Sequence, residues 1–329
     1  MLEDAMFRRN FNQTIDIVLR YGPKFNCVTL SRTCAISSRY LHKTSCENES
    51  KNLYKNDKWI PLNDLNYIPT FGLGVWKIPN GEDTINAVTW ALNSGYRHID
   101  TAARYGNEES VGVAINASEI PRKEIYVTTK LYDDSHGYNE TLEAFYKSLK
   151  RLGLDYIDLY LIHSPMNGKI LSTWEAMLEL KRKKLVRSIG VSNFGIHHLA
   201  ELQKFFNVVP AVNQIEVHPY LQERALVKYC KENNIVVQAY SPLANGQKLG
   251  ETSLGELAKK YQRSPAVVLI RWCLEKGYVC IPKSSNKKRI EENITAFEFQ
   301  LKKEDMEFLD SLDQGFRTCH DKIKLPWTD

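Results

Sequence analysis

Residues 155–193 read DYIDLYLIHSPMNGKILSTWEAMLELKRKKLVRSIGVSN, and this stretch decides the fold. DYIDLYLIH is an apolar run of strand length that stops at a polar residue, His163. STWEAMLELKRKK then repeats its apolar residues at helical spacing, leaving one face to bury. VRSIGVSN is a second strand, and it also stops at polar residues, Ser192 and Asn193. A strand, a helix and a strand in this order lie parallel, because the helix carries the chain back to the starting edge.

Outward from that unit the rhythm repeats. YRHID, EIYVTT, VPAVNQIE, IVVQAYS and YVCIPKS read as further strands, and WIPLNDLNYIPTFGLGVW as a small hairpin and the first strand of the series. The helical patterns between them include DTINAVTWALNSG, SVGVAINAS, NETLEAFYKSLKRLG, HHLAELQKFF, QERALVKYCKENN and PAVVLIRWCLEKG. The last is punctuated by Ser264 as N-cap, Pro265 at the first helical position and Gly277 just past the end. An open doubly wound sheet would want a glycine-rich turn opening a helix after the first strand, and FGLGVW opens none. Polar residues recur at the C-terminal end of strand after strand: Asp100, Lys130, His163, Ser192 and Asn193, Gln214, Tyr240 and Ser241, Lys283 and Ser284. In a closed (β/α)8 barrel those ends converge on one face. The expectation is therefore an α/β protein whose residues 57–329 form such a barrel, entered through a β-hairpin.

Residues 1–56 differ in kind. They carry nine of the 44 Lys and Arg and five of the 39 Asp and Glu, so 57–329 is close to neutral although the whole chain is +5. This balance makes no case for nucleic acid. The Arg-rich, Ser-bearing, acid-poor stretch from Met6 to Cys46 reads as either a disordered extension or a transit peptide. A cytoplasmic location is expected, or a mitochondrial one if residues 1–46 act as a transit peptide. Seven cysteines without a C-x-x-C pair read as small hydrophobes in a reducing compartment, and no metal site is expected. No apolar run approaches the roughly 20 residues that a membrane helix needs.

The strand ends carry a chemistry. Asp100, Tyr105, Lys130 and His163 supply an acid, a phenol, an ammonium and an imidazole. Taken singly they read as a cap, a loop aromatic, a solvated strand end and a core histidine. Together at one barrel mouth they suit a carbonyl that accepts a hydride and then needs a proton. Tyr105 would donate it, with Lys130 lowering its pKa, Asp100 anchoring Lys130, and neutral His163 orienting the carbonyl oxygen. In VCIPKSSNKKRIEEN, Lys283 and Ser284 end a strand, Arg289 begins a helix and Asn293 lies one turn on. Two cations there suit a phosphate monoester, hence NADP(H) rather than NAD(H). Tyr240 is placed to stack on nicotinamide, and Ser192, Asn193 and Gln214 to bond its carboxamide.

From about residue 59 onward the chain resembles the aldo-keto reductase family. Three stretches carry the resemblance: GYRHIDTA…E…VG at 95–112, Met177 through RSIGVSNF at 187–194, and IPKSSNKKRIEEN at 281–293. It is most similar in pattern to the short-loop, diketogluconate-reductase-like branch, because SPLANGQKLGETS after Tyr240 is brief. The resemblance implies a monomeric, NADPH-dependent carbonyl reductase with the tetrad Asp100, Tyr105, Lys130 and His163. It adds Leu243 and Glu292 to the cofactor contacts, which are otherwise Ser192, Asn193, Gln214, Tyr240, Ser241, Lys283, Ser284, Arg289 and Asn293. It places Trp76 in the substrate pocket beside His163. Two departures stand out: Ser164 follows the histidine, and Tyr132 lies two residues past the lysine, where many members carry Trp. Trp76, Tyr132 and Trp327 are expected to build an apolar wall. The partner is a small carbonyl compound, with no nucleic acid and no membrane. The alternative function is an NADP(H)-binding regulatory or structural protein with little turnover. A metal-dependent barrel lyase or hydrolase would have to use Asp100, His163, Glu216 and His218, whose spacing is poor for a metal.

Overall fold

A computed structural model describes residues 58–329. The expectations for residues 1–56 lie outside the described residues. Strands β1 (Trp59–Pro61) and β2 (Tyr67–Pro69) form the antiparallel hairpin, in register Trp59 with Pro69. The barrel strands follow: β3 (Leu73–Gly74), β4 (His98–Asp100), β5 (Tyr126–Leu131), β6 (Ile157–Ile162), β7 (Val186–Ser192), β8 (Val212–Glu216), β9 (Val236–Tyr240) and β10 (Val279–Cys280). Each pairs in parallel with its sequence neighbour. The ring closes between first and last strands. Parallel bridges join Phe71 to Cys280 and Gly74 to Lys283, and Gly74 N donates to the Pro282 carbonyl at 3.1 Å.

The helices alternate with these strands: α1 (Glu82–Asn93), α2 (Glu108–Asn116), α3 (Tyr138–Leu152), α4 (Ile170–Arg182), α5 (Ile196–Phe205), α6 (Arg224–Glu232), α7 (Thr252–Lys260), α8 (Pro265–Glu275), α9 (Lys287–Asn293) and α10 (Lys303–Ser311). All six residues of β6 are buried, as expected of a parallel strand with side chains filling the ring on one face and helices covering the other. Ile68 and Leu62 of the hairpin region join Leu159, Leu161, Val212 and Ile281 in one apolar cluster, with Trp59 and Ile60 against it, so the hairpin plugs the N-terminal end of the barrel.

Two local expectations need amendment. The segment TSLGELAKK forms α7, so two helices rather than one separate β9 from β10. Ser264 occupies the N-cap position of α8, but its hydroxyl makes no capping bond and is buried without a partner. Pro265, with its pre-set φ, is what starts the helix. Gly277 ends the α8 turn at φ 76, as expected. Gly112, within the 95–112 stretch, is required by close packing: a Cβ there would lie 2.1 Å from the Leu152 carbonyl oxygen, where α2 meets the end of α3.

Candidate active site

β4 delivers Asp100 at its C-terminal end, β5 delivers Lys130, and a single 3-10 turn, Ala103–Tyr105, brings Tyr105 back over them. Lys130 is fully buried and Asp100 nearly so, at 0% and 2% exposure. A lysine ammonium has three donors, and all three are placed. Lys130 Nζ donates to Asp100 Oδ1 at 2.6 Å, to the Thr101 carbonyl at 2.8 Å and to the Tyr105 hydroxyl at 3.2 Å. The other Asp100 oxygen accepts from Gln214 Nε2 at 2.7 Å. Tyr105 and His163 meet edge to face, with ring centroids 5.7 Å apart. The four sequence-chosen groups therefore converge.

The electrostatics are set by burial. Burial pushes Asp100 up and Lys130 down, and their mutual attraction opposes both shifts. Burial lowers His163 well below 6.5, with the charges of Lys130, Lys322 and Arg104 adding to it, so the imidazole is neutral. Tyr105 departs from the sequence argument. Its pKa lies well above 10, raised by burial and then by Asp100 and Cys319. An acidified phenol is the expectation from sequence; burial is the larger influence here, although Lys130 Nζ lies 3.2 Å from the hydroxyl. The phenol is thus held neutral and carries its proton at physiological pH.

Around this group opens a cavity of about 1190 Å³. At one end it is lined by Trp76, Tyr105 and His163. In the middle come Ser192, Asn193, Gln214 and Tyr240, and at the far end Lys283, Ser284, Arg289, Glu292 and Asn293, with Ser241 and Leu243 on the wall. The middle is a hydrogen-bonded row. Tyr240 donates its hydroxyl to Asn193 Oδ1 at 2.8 Å, and Asn193 Nδ2 donates to the His163 carbonyl at 2.9 Å. Ser192 Oγ donates to the Gln214 carbonyl at 2.9 Å. Asn193 and Ser241, at φ 60 and 48, adopt left-handed backbone just past the ends of β7 and β9. Gln214 gives one N–H of its Nε2 to Asp100.

Tyr132 does not line the cavity, contrary to expectation. Its hydroxyl accepts from Arg104 Nη1 at 2.5 Å and its ring stacks on that guanidinium at 4.9 Å, so Arg104 takes the cavity-lining place. The sequence reading missed Arg104, although its position directly before Tyr105 was the available signal. The chain's tail was also undecided from sequence. Glu216, at the end of β8, accepts from Thr318 N at 2.8 Å, from Cys319 N at 3.0 Å and from the Thr318 hydroxyl. Burial works to raise the Glu216 pKa, yet these bonds and one from His218 hold it below the usual value. Across the mouth, Lys322 Nζ donates to Asp133 Oδ2 at 3.0 Å and to Ser164 Oγ at 3.2 Å. The tail is strapped over the opening at both sides, and Thr318, Cys319, His320 and Lys322 line the cavity. Trp327 packs near His198 instead, with ring centroids 6.4 Å apart, and does not line the cavity. Among the described residues no group of three His, Cys, Asp or Glu could hold a metal ion, and no helix is long and apolar enough to cross a membrane.

A closed ring of eight parallel strands with a lysine-backed tyrosine at its C-terminal mouth defines a barrel oxidoreductase class. The sequence profile of the Aldo/keto reductase family matches residues 70–314, and the chain belongs to that family. It is 48% identical over 265 residues to a 9,11-endoperoxide prostaglandin H2 reductase of Trypanosoma cruzi, covering 80% of this chain and 94% of that protein. It is 47% identical over 250 residues to a glyoxal reductase of Bacillus subtilis, covering 76% and 91%. Among solved structures, a Bombyx mori aldo-keto reductase in complex with NADP superposes with a TM-score of 0.74 at 39% identity, covering 80% of this chain and 94% of that one.

Proposed function

We propose that this protein is an NADPH-dependent reductase of aldehydes and ketones, with Tyr105 as proton donor, Lys130 and Asp100 behind it and His163 orienting the carbonyl. The observation that carries the reading is the Asp100–Lys130–Tyr105 chain, at 2.6 and 3.2 Å, opening onto a cavity with free cations at its far end. Those cations bear on the cofactor. Lys283 and Arg289 are exposed and have no carboxylate partner among the described residues, a donor set suited to a phosphate monoester. Ser284, Glu292 and Asn293 would complete that end. Tyr240 would offer its ring to nicotinamide, with Ser192, Asn193 and Gln214 beside it and Ser241 and Leu243 on the wall. NADPH bound there supplies the hydride.

The chain's own groups account for the rest. Neutral His163 lends a ring N–H to the carbonyl oxygen without bringing a charge that would cost solvation in a buried site. Tyr105 keeps its proton until negative charge grows on that oxygen. As the proton leaves, Lys130 already lies within hydrogen-bonding reach of the phenolate, so no solvent need rearrange. Asp100 keeps the ammonium charged and fixed. The substrate class is the small reactive carbonyls, and Trp76 supplies an apolar wall. The four free thiols among the described residues, Cys230, Cys273, Cys280 and Cys319, fit a reducing compartment such as the cytoplasm.

The experiment is NADPH consumption with glyoxal and methylglyoxal by wild type and Tyr105→Phe. A general acid contributes about 10²–10⁴ in rate. The variant should lose that much turnover while still quenching tryptophan fluorescence on NADPH addition. Binding of NADPH without consumption by the wild type, over a broad carbonyl panel, would replace this reading with that of a binding-only protein.

A further inference from the structure

The substrate end of the cavity carries cations that the proposed chemistry does not use. Lys77, Arg104 and Lys322 all line it. Lys322 is neutralised by Asp133 at 3.0 Å. Among the described residues neither Arg104 nor Lys77 has a carboxylate partner, and the Lys77 ammonium lies over the Trp76 ring, 4.3 Å from its centroid. Arg104 is nonetheless held in place by the hydroxyl and ring of Tyr132.

Tyr132 and Ser164 stand where the family resemblance leads one to expect Trp, and in this chain each hydroxyl holds a cation at the mouth: Tyr132 holds Arg104, and Ser164 holds Lys322. Two indoles would have made an apolar rim. Two hydroxyls make a rim with a net positive field. The nearby acids are paired with cations or set back from the lining: Asp100 with Lys130 at 2.6 Å, Asp133 with Lys322 at 3.0 Å, and Glu216, which is not part of the lining, with Arg317 at 4.0 Å. A guanidinium offers paired donors that match the two oxygens of a carboxylate.

Resting on the reductase reading above, we infer that the preferred substrates are carbonyl compounds bearing a carboxylate. Arg104, oriented by Tyr132, binds that carboxylate while the carbonyl sits at Tyr105 and His163. Arg104 lines the same cavity as Tyr105, and its charge reaches His163, so the anion and the reacting carbon fit within one small molecule. Tyr132 acts as a positioning residue, since it reaches the substrate only through Arg104.

The test compares 4-carboxybenzaldehyde with its methyl ester, which differ in charge and little in shape. The wild type should favour the acid in kcat/KM, and that preference should shrink as salt is raised. Arg104→Met should cut the acid-to-ester ratio about tenfold, or roughly 1.4 kcal/mol. Tyr132→Phe should cut it by less, with the loss on KM for the acid rather than on kcat. A wild-type ratio of one or below, a ratio insensitive to salt, or an Arg104→Met ratio equal to wild type overturns the inference. Because the first two readings use the wild type alone, misfolding of a variant does not rescue it. If neither aldehyde is consumed while glyoxal or methylglyoxal is, or if both aldehydes are consumed equally, only the carboxylate inference falls; if no carbonyl of the panel is consumed, the reductase reading falls as well.

Discussion

Lys130→Met removes the ammonium that the whole site is built around, and its cost can be worked from the structure. The lysine is fully buried and pairs with an Asp100 that is 2% exposed. Deleting one member of a buried pair leaves an uncompensated charge, which costs about 3–5 kcal/mol. Asp100 would keep only the Gln214 hydrogen bond at 2.7 Å, with Gln238 distant at 3.5 Å. Burial already pushes Asp100 up, and Lys130 is the largest influence opposing it. In the variant the folded-state pKa therefore rises further above the unfolded value of about 3.9. The sign follows. Above that value the unfolded chain ionises and the folded one does not, so stability falls as pH rises, by about 1.4 kcal/mol per unit, until the folded pKa is reached. Urea denaturation at pH 5 and pH 7 should show Lys130→Met closer to wild type at the lower pH. Adding Asp100→Asn should recover most of the lost stability without restoring NADPH turnover. A single variant within about 1 kcal/mol of wild type at both pH values would show that no strongly coupled buried pair exists, and the argument for the site would fail with it.

Other outcomes follow from single contacts. Glu216→Ala removes the acceptor for Thr318 and Cys319, and trypsin should then cut after Arg317, Lys322 and Lys324 at least about tenfold faster, on the basis that each lost charged bond is worth about 1.5–3 kcal/mol. Arg289→Ala should weaken NADPH binding by about tenfold or more while leaving NADH affinity nearly unmoved, read by fluorescence titration, because only NADPH carries the extra phosphate. Gly112→Ala places a Cβ 2.1 Å from the Leu152 carbonyl oxygen, and the backbone cannot step aside cheaply. It should lower stability by at least about 1–3 kcal/mol in the same urea assay, whereas Gly255→Ala, with open space around it, should not.

Strand ends were legible because period and polarity coincide there: each apolar run of the sequence ends at or beside a polar residue that stands at the mouth. Asp100, Lys130 and His163 could be placed for that reason alone, and Tyr105 through its nearness to Asp100. Other features depend on contacts that no local pattern encodes. Glu216 looks in sequence like any polar strand end, and its role appears only when a tail about a hundred residues on folds back to it. Tyr132 reads as a wall aromatic, but a guanidinium twenty-eight residues earlier turns it outward from the cavity. The upward push on the Tyr105 pKa comes first from burial, which a sequence that shows only a nearby cation does not reveal. The α7 helix sits in a loop region short enough to pass for a turn, and its amphipathic face matters only once the barrel offers a surface for Leu254 and Leu257.

The bridge from Gly74 to Lys283 fastens the hoop of strands where both partners are shortest, β3 and β10 having two residues each. Lys283 is thus at once the clasp of the ring and a cation of the cavity. Any opening of that clasp lets go of whatever the lysine grips, and any dinucleotide it grips holds the clasp shut. The breathing of the barrel and the escape of its ligand become one motion, so heating should spring the hoop first at this point, and later when the cavity is filled.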